Sequence, residues 1–204
     1  MNSALVHVID DDAAVRNALS RVLRCAGFDV RAYGSAVEFL VAGRDDRPGC
    51  LVLDVGLPGM SGVELQAAMA RNDSAPPIVF VTGRGSVDTS VRAMKAGAVD
   101  FLTKPVKREA LLSAVESALA SDTKSRAHNE EARAARARFD KLTPREREVF
   151  AQVVRGRLNK QIADDLGTSV RTVKAHRAQV MTKMEVGSLA ELVNVAAKLQ
   201  DSGA

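Results

Sequence analysis

The chain has 204 residues, of which 46% are hydrophobic and 26% are charged, and its formal net charge is +4. This composition suits one large or two small globular domains, and no apolar run approaches the roughly 18 residues of a membrane-spanning helix. No secretory signal precedes the first apolar run, and Cys25 and Cys50 lack metal-like spacing. We therefore expect two reduced core cysteines in a cytoplasmic protein with no membrane partner.

The charge is divided unevenly along the chain. Residues 1–120 hold 13 of the 29 Lys and Arg and 14 of the 25 Asp and Glu, which leaves 16 and 11, a balance of +5, for residues 121–204. A small basic region after a near-neutral one favours an anionic partner, and nucleic acid is the commonest. A solvated basic surface is the alternative interpretation.

Short apolar runs alternate with helical patterns over the first 120 residues. Helices are predicted over 14–25, from the capping pair Ser35 and Glu38, over 63–71 and 87–96, and from Arg108 onward. The five predicted strands are Leu5 to Ile9, Val30 to Tyr33, Cys50 to Leu53, Ile78 to Val81, and Phe101 to Leu102. This alternation predicts an α/β fold, a doubly wound five-stranded parallel sheet covered by helices on both faces.

Polar residues stand where the predicted strands end. Asp10 and Asp11 follow the first strand, Asp54 the third, Thr82 the fourth and Lys104 the fifth. The carboxyl ends of parallel strands share one edge, where such sheets bind ligands, so we expect these side chains to converge. A strand-ending Asp or Thr by itself is more often a turn or cap residue, and only the joint placement favours a site.

Three carboxylates with no histidine or cysteine at these strand ends suit a hard cation, and Mg²⁺ would overcome their mutual repulsion. With the cation present, Asp54 stays ionised and can attack phosphorus to give an aspartyl phosphate. Thr82 and Lys104 are expected to bind phosphate oxygens, and to reach the site only when phosphate is there to hold them.

Four motifs carry a resemblance to a known family, namely VIDDD, LVLDVGLPGMSG, FVTGRG and AGAVDFLTKPV. In order and spacing they closely resemble the receiver domain of two-component response regulators, which has a flavodoxin-like fold. The roles that the resemblance implies are an acidic pair at Asp10 and Asp11, a phosphorylated Asp54, a switch hydroxyl at Thr82, a switch aromatic at Phe101, and the family lysine at Lys104. It also implies a cis peptide before Pro105 and a helix-capping role, rather than metal binding, for Asp12.

Gly56 and Arg84 are two positions that influence phosphate lifetime in receivers. Gly56 offers the metal its backbone carbonyl but has no side chain, and Arg84 brings a cation, so we hypothesise that these two residues set the rate of phosphate loss here. An aspartate-nucleophile phosphohydrolase, the alternative on a similar sheet, has an acidic residue where Gly56 stands, and a general acid is worth about 10²-fold to 10⁴-fold. We therefore expect no enzyme, only self-phosphorylation at Asp54 and slow autodephosphorylation.

The segment SDTKSRAHNEEARAARARFD, residues 121–140, has many charges and few large apolar residues. It predicts a charged, partly helical linker between a receiver at 1–120 and a four-helix domain at 141–204. In LTPREREVF, Thr143 is predicted to cap a helix, with Pro144 at its first position and Glu146 closing a capping box.

Two further helices are predicted in NKQIADDLG, capped by Asn159, and in TSVRTVKAHRAQVMTKM, capped by Ser169. The short turn between them is typical of a helix-turn-helix. On the longer helix, Val173, Val180 and Met184 form the predicted core stripe. The opposite, DNA-facing stripe carries Arg171, Lys174, Ala175 and Ala178, whose small members allow close approach to base edges in the major groove. The predicted phosphate contacts are Lys160, Thr172, His176 and Arg177.

Residues 142–200 resemble the LuxR-type, or GerE-type, DNA-binding domain, and the helix after Ser188, capped with Glu191, resembles its dimerising fourth helix. Together the two halves resemble a FixJ-type response regulator of the NarL/FixJ class. That resemblance implies a transcription factor in a two-component phosphorelay that receives a phosphoryl group from a sensor histidine kinase. It further implies a homodimer, formed through helix 4 and strand 5 on phosphorylation, that binds double-stranded promoter DNA, with RNA polymerase as a further candidate partner.

Two alternatives stay open at this point. One is a phosphorylation-independent DNA-binding regulator with a silent receiver. The other is an RNA-binding antiterminator, which the helix-turn-helix pattern disfavours.

Overall fold

The elements follow the predicted order. The computed structural model describes residues 4–43, 45, 47–70, 75–83 and 87–201, and within them it has five strands and nine helices. The strands are β1 Leu5–Ile9, β2 Asp29–Tyr33, β3 Gly49–Asp54, β4 Ile78–Thr82 and β5 Asp100–Thr103. The helices are α1 Ala13–Cys25, α2 Ala36–Val41, α3 Gly62–Met69, α4 Val87–Lys95, α5 Arg108–Asp140, α6 Pro144–Val154, α7 Asn159–Asp165, α8 Val170–Met184 and α9 Leu189–Asp201.

The strands form one parallel sheet in the order β2-β1-β3-β4-β5. The chain leaves β1 toward β2 on one side and returns to β3 on the other, so strand order reverses between β1 and β3. A crevice for a ligand opens at such a point, beyond the carboxyl ends of the strands. The predicted α/β fold is confirmed.

Each face of the sheet carries its own apolar core. One core joins Val6 and Val52 of the sheet to Leu23 of α1 and Val115 of α5. The other joins Ile9 and Phe80 to Leu65 of α3 and Ala93 of α4. Strands buried on both faces are mostly apolar throughout, which is why the short runs could be recognised in the sequence.

Three local details differ from the predictions or refine them. Glu38 does not close a capping box on Ser35, because its carboxylate accepts from the N–H of Gly34 at 2.6 Å instead. The cysteines are both free, but only Cys50 is buried, and the core position predicted for Cys25 is wrong. Cys25 is the last residue of α1 and is exposed there.

The chain divides into two compact units, residues 1–126 and 127–204, and the boundary lies within α5. In the first unit, the Asp122 carboxylate of α5 is buried and accepts from the N–H of Gly49 at 2.9 Å. Ala132 and Ala135, in the C-terminal half of α5, are also buried. Segment 121–140 therefore contains several buried side chains among its charges.

The second unit packs α6 to α9 around a core that includes Val149, Ile162, Val180 and Leu192. Phe139 at the end of α5 packs on this core, with its ring centroid 5.2 Å from that of Phe150. Among the described residues of both units, no helix combines the length and the apolar character that crossing a bilayer requires.

Candidate functional site

Three carboxylates meet at the carboxyl edge of the sheet. Asp10 follows β1, Asp54 ends β3, and oxygen atoms of Asp10, Asp11 and Asp54 all lie within 4.8 Å of one another. Asp10 and Asp54 are buried, whereas Asp11 is exposed. The fold thus assembles this cluster at the strand-order reversal between β1 and β3.

Asp12, the third acid of the run, stands apart from the cluster. Its Oδ1 accepts from the N–H groups of Ala14 at 2.8 Å and Val15 at 3.3 Å, so Asp12 caps α1 as predicted. An N-cap carboxylate also interacts favourably with the positive end of the helix dipole. The Asp12 N–H donates to Asp10 Oδ1 at 3.0 Å, and the cap therefore also orients the Asp10 carboxylate.

Arg16 holds the backbone of the turn that carries the acids, a role that the sequence did not indicate. Its Nη1 donates to the carbonyl oxygens of Asp10 at 2.6 Å and Asp11 at 3.3 Å. The only signal in the sequence was a basic residue one turn into α1. Its effect is to fix the backbone that carries two of the three acids.

Lys104 reaches the carboxylates directly. Its Nζ lies 2.7 Å from Asp10 Oδ2 and 3.4 Å from Asp54 Oδ1, so the expectation that phosphate is needed to draw it in is wrong. Two buried carboxylates already attract the ammonium strongly. Partial burial acts to lower the pKa of Lys104, but the hydrogen bond to Asp10 and the charge of Asp54 outweigh it, and the pKa is raised.

The ionised form of Asp54 is less favourable than that of an exposed aspartate. Burial raises the pKa of its carboxyl group, the charge of Lys104 opposes this, and the nearby Asp10 adds to it. The N–H of Gly56 donates to the carboxylate and acts in the same direction as Lys104. A Cβ at position 56 would meet Asp54 Oδ2 at an ordinary contact distance of 3.6 Å, so a side chain there would lie against the acid.

Gly62 at the start of α3 is needed for the position of Asp54. A Cβ at Gly62 would overlap the carbonyl oxygen of Asp54 and crowd the Phe80 ring. The N–H of Gly62 donates to Val55 O at 3.2 Å, which closes the loop that follows β3. The absence of a side chain lets α3 begin directly against the acid-bearing strand.

Thr82 lies on β4, next to the strand that carries Asp54, and Phe101 lies on β5, one strand further. Thr82 ends β4, is buried, and pairs in register with Thr103, while Asp54 pairs with Val81. Phe101 is half-buried in β5, with its ring centroid 6.2 Å from that of Phe80. The peptide before Pro105 is cis, as the resemblance implied. Arg84 lies outside the described residues.

The acidic cluster fits Mg²⁺ by its donor chemistry. All of its side-chain donors are carboxylate oxygens, and hard cations with few protein ligands prefer these. The buried Asp10 Oδ2 already has a cation beside it, the Lys104 ammonium at 2.7 Å. An atom in this situation is suited to a cation.

The second unit presents a helix-turn-helix. Ser169 caps α8 as predicted, with its Oγ accepting from the Thr172 N–H at 3.0 Å, and residues 166–169 connect α7 to α8. The capping box of Thr143 and Glu146 at the start of α6 is also confirmed. Ser188 and Glu191 begin α9 as predicted, because the Glu191 N–H donates to Ser188 Oγ at 3.2 Å.

The two faces of α8 divide as predicted. The buried residues are Val173, Val180 and Met184, and the exposed ones include Arg171, Lys174, Ala175 and Ala178. Of the four predicted phosphate contacts, Lys160 and Thr172 are exposed, while His176 and Arg177 are half-buried.

Asn159 and Arg177 have different surroundings from those expected. The cap position of α7 belongs to Leu158, so the prediction that Asn159 caps this helix is wrong. The Leu158 N–H donates to Gln161 Oε1 at 2.9 Å, and Asn159 Oδ1 instead accepts from Arg177 Nη1 at 3.1 Å. This contact ties the short helix to the longer one.

A doubly wound sheet with an acidic cluster and a lysine at its switch point, followed by a helix-turn-helix unit, defines a class: a receiver domain joined to a DNA-binding domain. Residues 6–116 match the family described as the response regulator receiver domain, and residues 140–196 match the bacterial regulatory proteins of the luxR family. The chain belongs to the response regulators with a luxR-type DNA-binding domain, and it is a response regulator transcription factor.

Full-length relatives agree with this assignment. Nodulation protein W of Bradyrhizobium diazoefficiens is 43% identical over 196 residues, which cover 96% of this chain and 86% of that protein. The transcriptional regulatory protein FixJ of Rhizobium meliloti is 43% identical over 196 residues, 96% of each chain. Among solved structures, the response regulator StyR is 45% identical with a TM-score of 0.80, covering 96% of this chain and 99% of its own.

Proposed function

We propose that this response regulator accepts a phosphoryl group on Asp54 from a sensor histidine kinase, dimerises, and then binds paired sites in promoter DNA. The observation that carries the proposal is the meeting of Asp54 with Asp10, Asp11 and Lys104 at the switch point of the sheet. An isolated buried aspartate would be costly, and here it stands among groups suited to phosphate chemistry. A sensor histidine kinase and promoter DNA as partners support the further proposal of a cytoplasmic location.

The chemistry begins with the Asp54 carboxylate as nucleophile. One of its oxygens bonds to phosphorus as the bond from phosphorus to the donor nitrogen breaks, which leaves an aspartyl phosphate. Asp10, Asp11, Asp54 and the carbonyl of Gly56 would hold Mg²⁺, which neutralises charge on the transferred group. The Lys104 ammonium, already beside both acids, is placed to pair with a phosphate oxygen, and the Thr82 hydroxyl on the neighbouring strand is placed to bind another.

The protein is not proposed to turn over substrate. Gly56 provides no side-chain acid or base two residues after Asp54, so we expect only self-phosphorylation and slow hydrolysis of the phosphate. Phosphorylation would replace the ion pair between Lys104 and Asp54 with contacts to the phosphate, and Thr82 and Phe101, on the adjacent strands β4 and β5, would rearrange in response.

The DNA interface is proposed on α8 and the start of α7. Arg171 and Lys174 are exposed beside Ala175 and Ala178, so long cations and close backbone approach occur on the same face. Lys160 is exposed at the start of α7 and would contact phosphate, which adds affinity without sequence information. Arg177 is proposed to act indirectly, because its hydrogen bond to Asn159 fixes the position of α8 relative to α7.

The test is DNA binding by the wild type and Asp54→Ala, with and without acetyl phosphate, at several salt concentrations. The DNA is a set of duplexes selected from a random pool by the phosphodonor-treated wild type. We expect acetyl phosphate to tighten binding at least about tenfold in the wild type and to leave Asp54→Ala unchanged. Equal binding under all four conditions would instead establish a silent receiver.

Neighbouring acids provide a matched control for the metal site. Asp11→Asn removes a carboxylate of the cluster, whereas Asp12→Asn removes one charge from the same turn but keeps a residue that caps helices well. We expect Mg²⁺-dependent uptake of labelled phosphate to be lost in Asp11→Asn and retained in Asp12→Asn. Equal uptake by the two variants would contradict the proposed ligand set.

A further inference from the structure

Gln66 in α3 makes two hydrogen bonds to the end of α4. Its side chain is buried, and Nε2 donates to Ala93 O at 3.3 Å and to Ala96 O at 3.2 Å. Both partners are carbonyl oxygens, which fixes the orientation of the amide, since only its NH₂ group can donate to them. The side chain therefore bridges α3 and α4 through its amide nitrogen, which reaches carbonyl groups 27 and 30 residues further along the chain.

One of the two carbonyls that Gln66 binds, Ala96 O, is of the kind that a helix end leaves without a partner. Helix α4 ends in a Schellman motif, in which the Ala98 N–H donates to Ala93 O at 3.1 Å and the Gly97 N–H to Met94 O at 3.0 Å. Gly97 has φ +90°, which this motif requires and which favours glycine. The motif does not satisfy Ala96 O, and Gln66 does.

Apolar packing anchors α4 only weakly. Among the α4 residues whose side chains the structure describes, Ala93 is the buried one, while Val91 and Met94 are each 45% exposed. An alanine buries little apolar area, so packing contributes little to holding this part of the helix. The two hydrogen bonds from Gln66 therefore add to the burial of Ala93 and Ala98 in fixing the C-terminal end of α4.

The amide is not the residue that stability alone would select. Within the described residues, Gln66 Oε1 is buried and has no hydrogen-bond partner. A methionine or leucine would fill the same space without leaving an acceptor unpaired. Retaining the amide is explained if its donor group fixes a particular position of α4.

We infer that Gln66 is a positioning residue that holds the C-terminal end of α4 against α3 and so fixes the exposed face of Val91 and Met94 for association with a second copy of the chain. This inference rests on the proposed phosphorylation-dependent dimer. Helix α4 connects β4, which ends in Thr82, to β5, which contains Phe101. Its placement therefore lies between the proposed switch residues and the proposed dimer surface.

The local part of the inference is tested by hydrogen exchange in the full chain. Gln66→Met keeps the side-chain volume but removes both donors, and Gln66→Glu keeps the shape but presents only acceptor oxygens to the two carbonyls. We expect amides at 91–98 to exchange about tenfold faster in Gln66→Met, and faster still in Gln66→Glu, with β1 and β3 unchanged. Unchanged exchange at 91–98 in Gln66→Met would overturn the inference, because it would show that the amide only fills space.

The functional part is tested by sedimentation with acetyl phosphate. We expect Gln66→Met to take up phosphate as the wild type does but to dimerise several-fold more weakly, because its α4 surface is less preorganised. Gln152→Met, the same change in α6, is the control and should dimerise like the wild type. Wild-type dimer affinity in Gln66→Met would overturn the link to association.

The two proposals fail in different ways. A wild type that stays monomeric with acetyl phosphate would remove the proposed dimer and, with it, the role of Gln66 in association. The exchange measurement would still decide whether Gln66 holds α4.

Discussion

Lys104 lies closer to Asp10 than to Asp54: its ammonium is 2.7 Å from an oxygen of the first acid and 3.4 Å from an oxygen of the second. The Lys104 ammonium therefore lies beside the same carboxylates that a divalent cation would bind. Because like charges repel, cation binding and the Lys104–Asp10 contact oppose each other.

Removing the lysine should accordingly tighten metal binding. In Lys104→Met we expect the Mg²⁺ dissociation constant to fall about threefold to tenfold, while phosphorylation no longer promotes DNA binding. Titration calorimetry measures the first effect and a gel shift with acetyl phosphate the second. Lys107→Met, which changes an exposed lysine three residues further along the chain, is the control. Weaker Mg²⁺ binding in Lys104→Met would show that the ammonium orders the acids rather than competing at them.

Neutralising the phosphoacceptor should stabilise the receiver. The pKa of Asp54 is raised, chiefly by burial, so its ionised form destabilises the folded state at pH values above both the folded and the unfolded pKa. We expect Asp54→Asn to raise the free energy of unfolding at pH 7 without divalent cations. Urea unfolding followed by circular dichroism measures this, and saturating Mg²⁺ should reduce the difference by stabilising the wild type alone. A less stable Asp54→Asn would contradict this account.

The lowered pKa of His7 predicts that the receiver loses stability in weak acid. Burial, with a smaller contribution from Arg31, lowers its pKa to about 4, and its ring stacks against Tyr33, whose hydroxyl lies 3.2 Å from Nδ1. Between the ordinary histidine pKa of 6.5 and about 4 the unfolded chain binds the extra proton, so stability falls as the pH is lowered through that window.

The expected change is about 3 kcal/mol across this window. His7→Phe should remove that part of the pH dependence, even if it lowers the stability at pH 7 by leaving the Tyr33 hydroxyl unpaired. Replacing the exposed His128 in the same way should not. Urea unfolding at pH 4.5, 5.5 and 7 checks both variants, and a pH profile that His7→Phe leaves unchanged would assign the effect to other groups.

The contributions of two basic residues to DNA binding should depend differently on salt concentration. Lys160→Ala removes a proposed phosphate contact, so binding should weaken equally for all duplexes, and the slope of log K against log salt should fall by about 0.9. Arg171→Ala should instead cost about 1–3 kcal/mol and relax the preference at one base pair. Fluorescence anisotropy over a salt series distinguishes these outcomes. Lys141→Ala, an exposed lysine outside α7 and α8, should change neither quantity.

Local patterns in the sequence predicted much of the fold. The strands were recognisable because both faces of the sheet are buried, and the caps at Asp12, Thr143 and Ser169 act within three residues of their partners. The acids at the strand ends could be placed together because parallel strands end on one edge. Such features depend on neighbours in the chain or on topology alone.

Contacts between residues distant in sequence were not predictable in this way. Nothing local shows that the Gln66 amide reaches α4, or that Asn159 accepts from Arg177 rather than capping its own helix. Lys104 was expected to need phosphate, because the sequence does not reveal how deeply Asp10 is buried beside it. These details depend on tertiary packing.

Helix α5 has a practical consequence for dividing the molecule. Phe139, near its C-terminus, packs edge-to-face against Phe150, and Glu131 and Lys198 are ion-paired at 2.6 Å. Cleavage just before residue 141 would remove this aromatic partner and expose part of the hydrophobic core that it covers. A fragment that starts near Ala127 keeps both contacts. It is therefore better suited than a fragment starting at residue 141 to separate expression for DNA-binding studies.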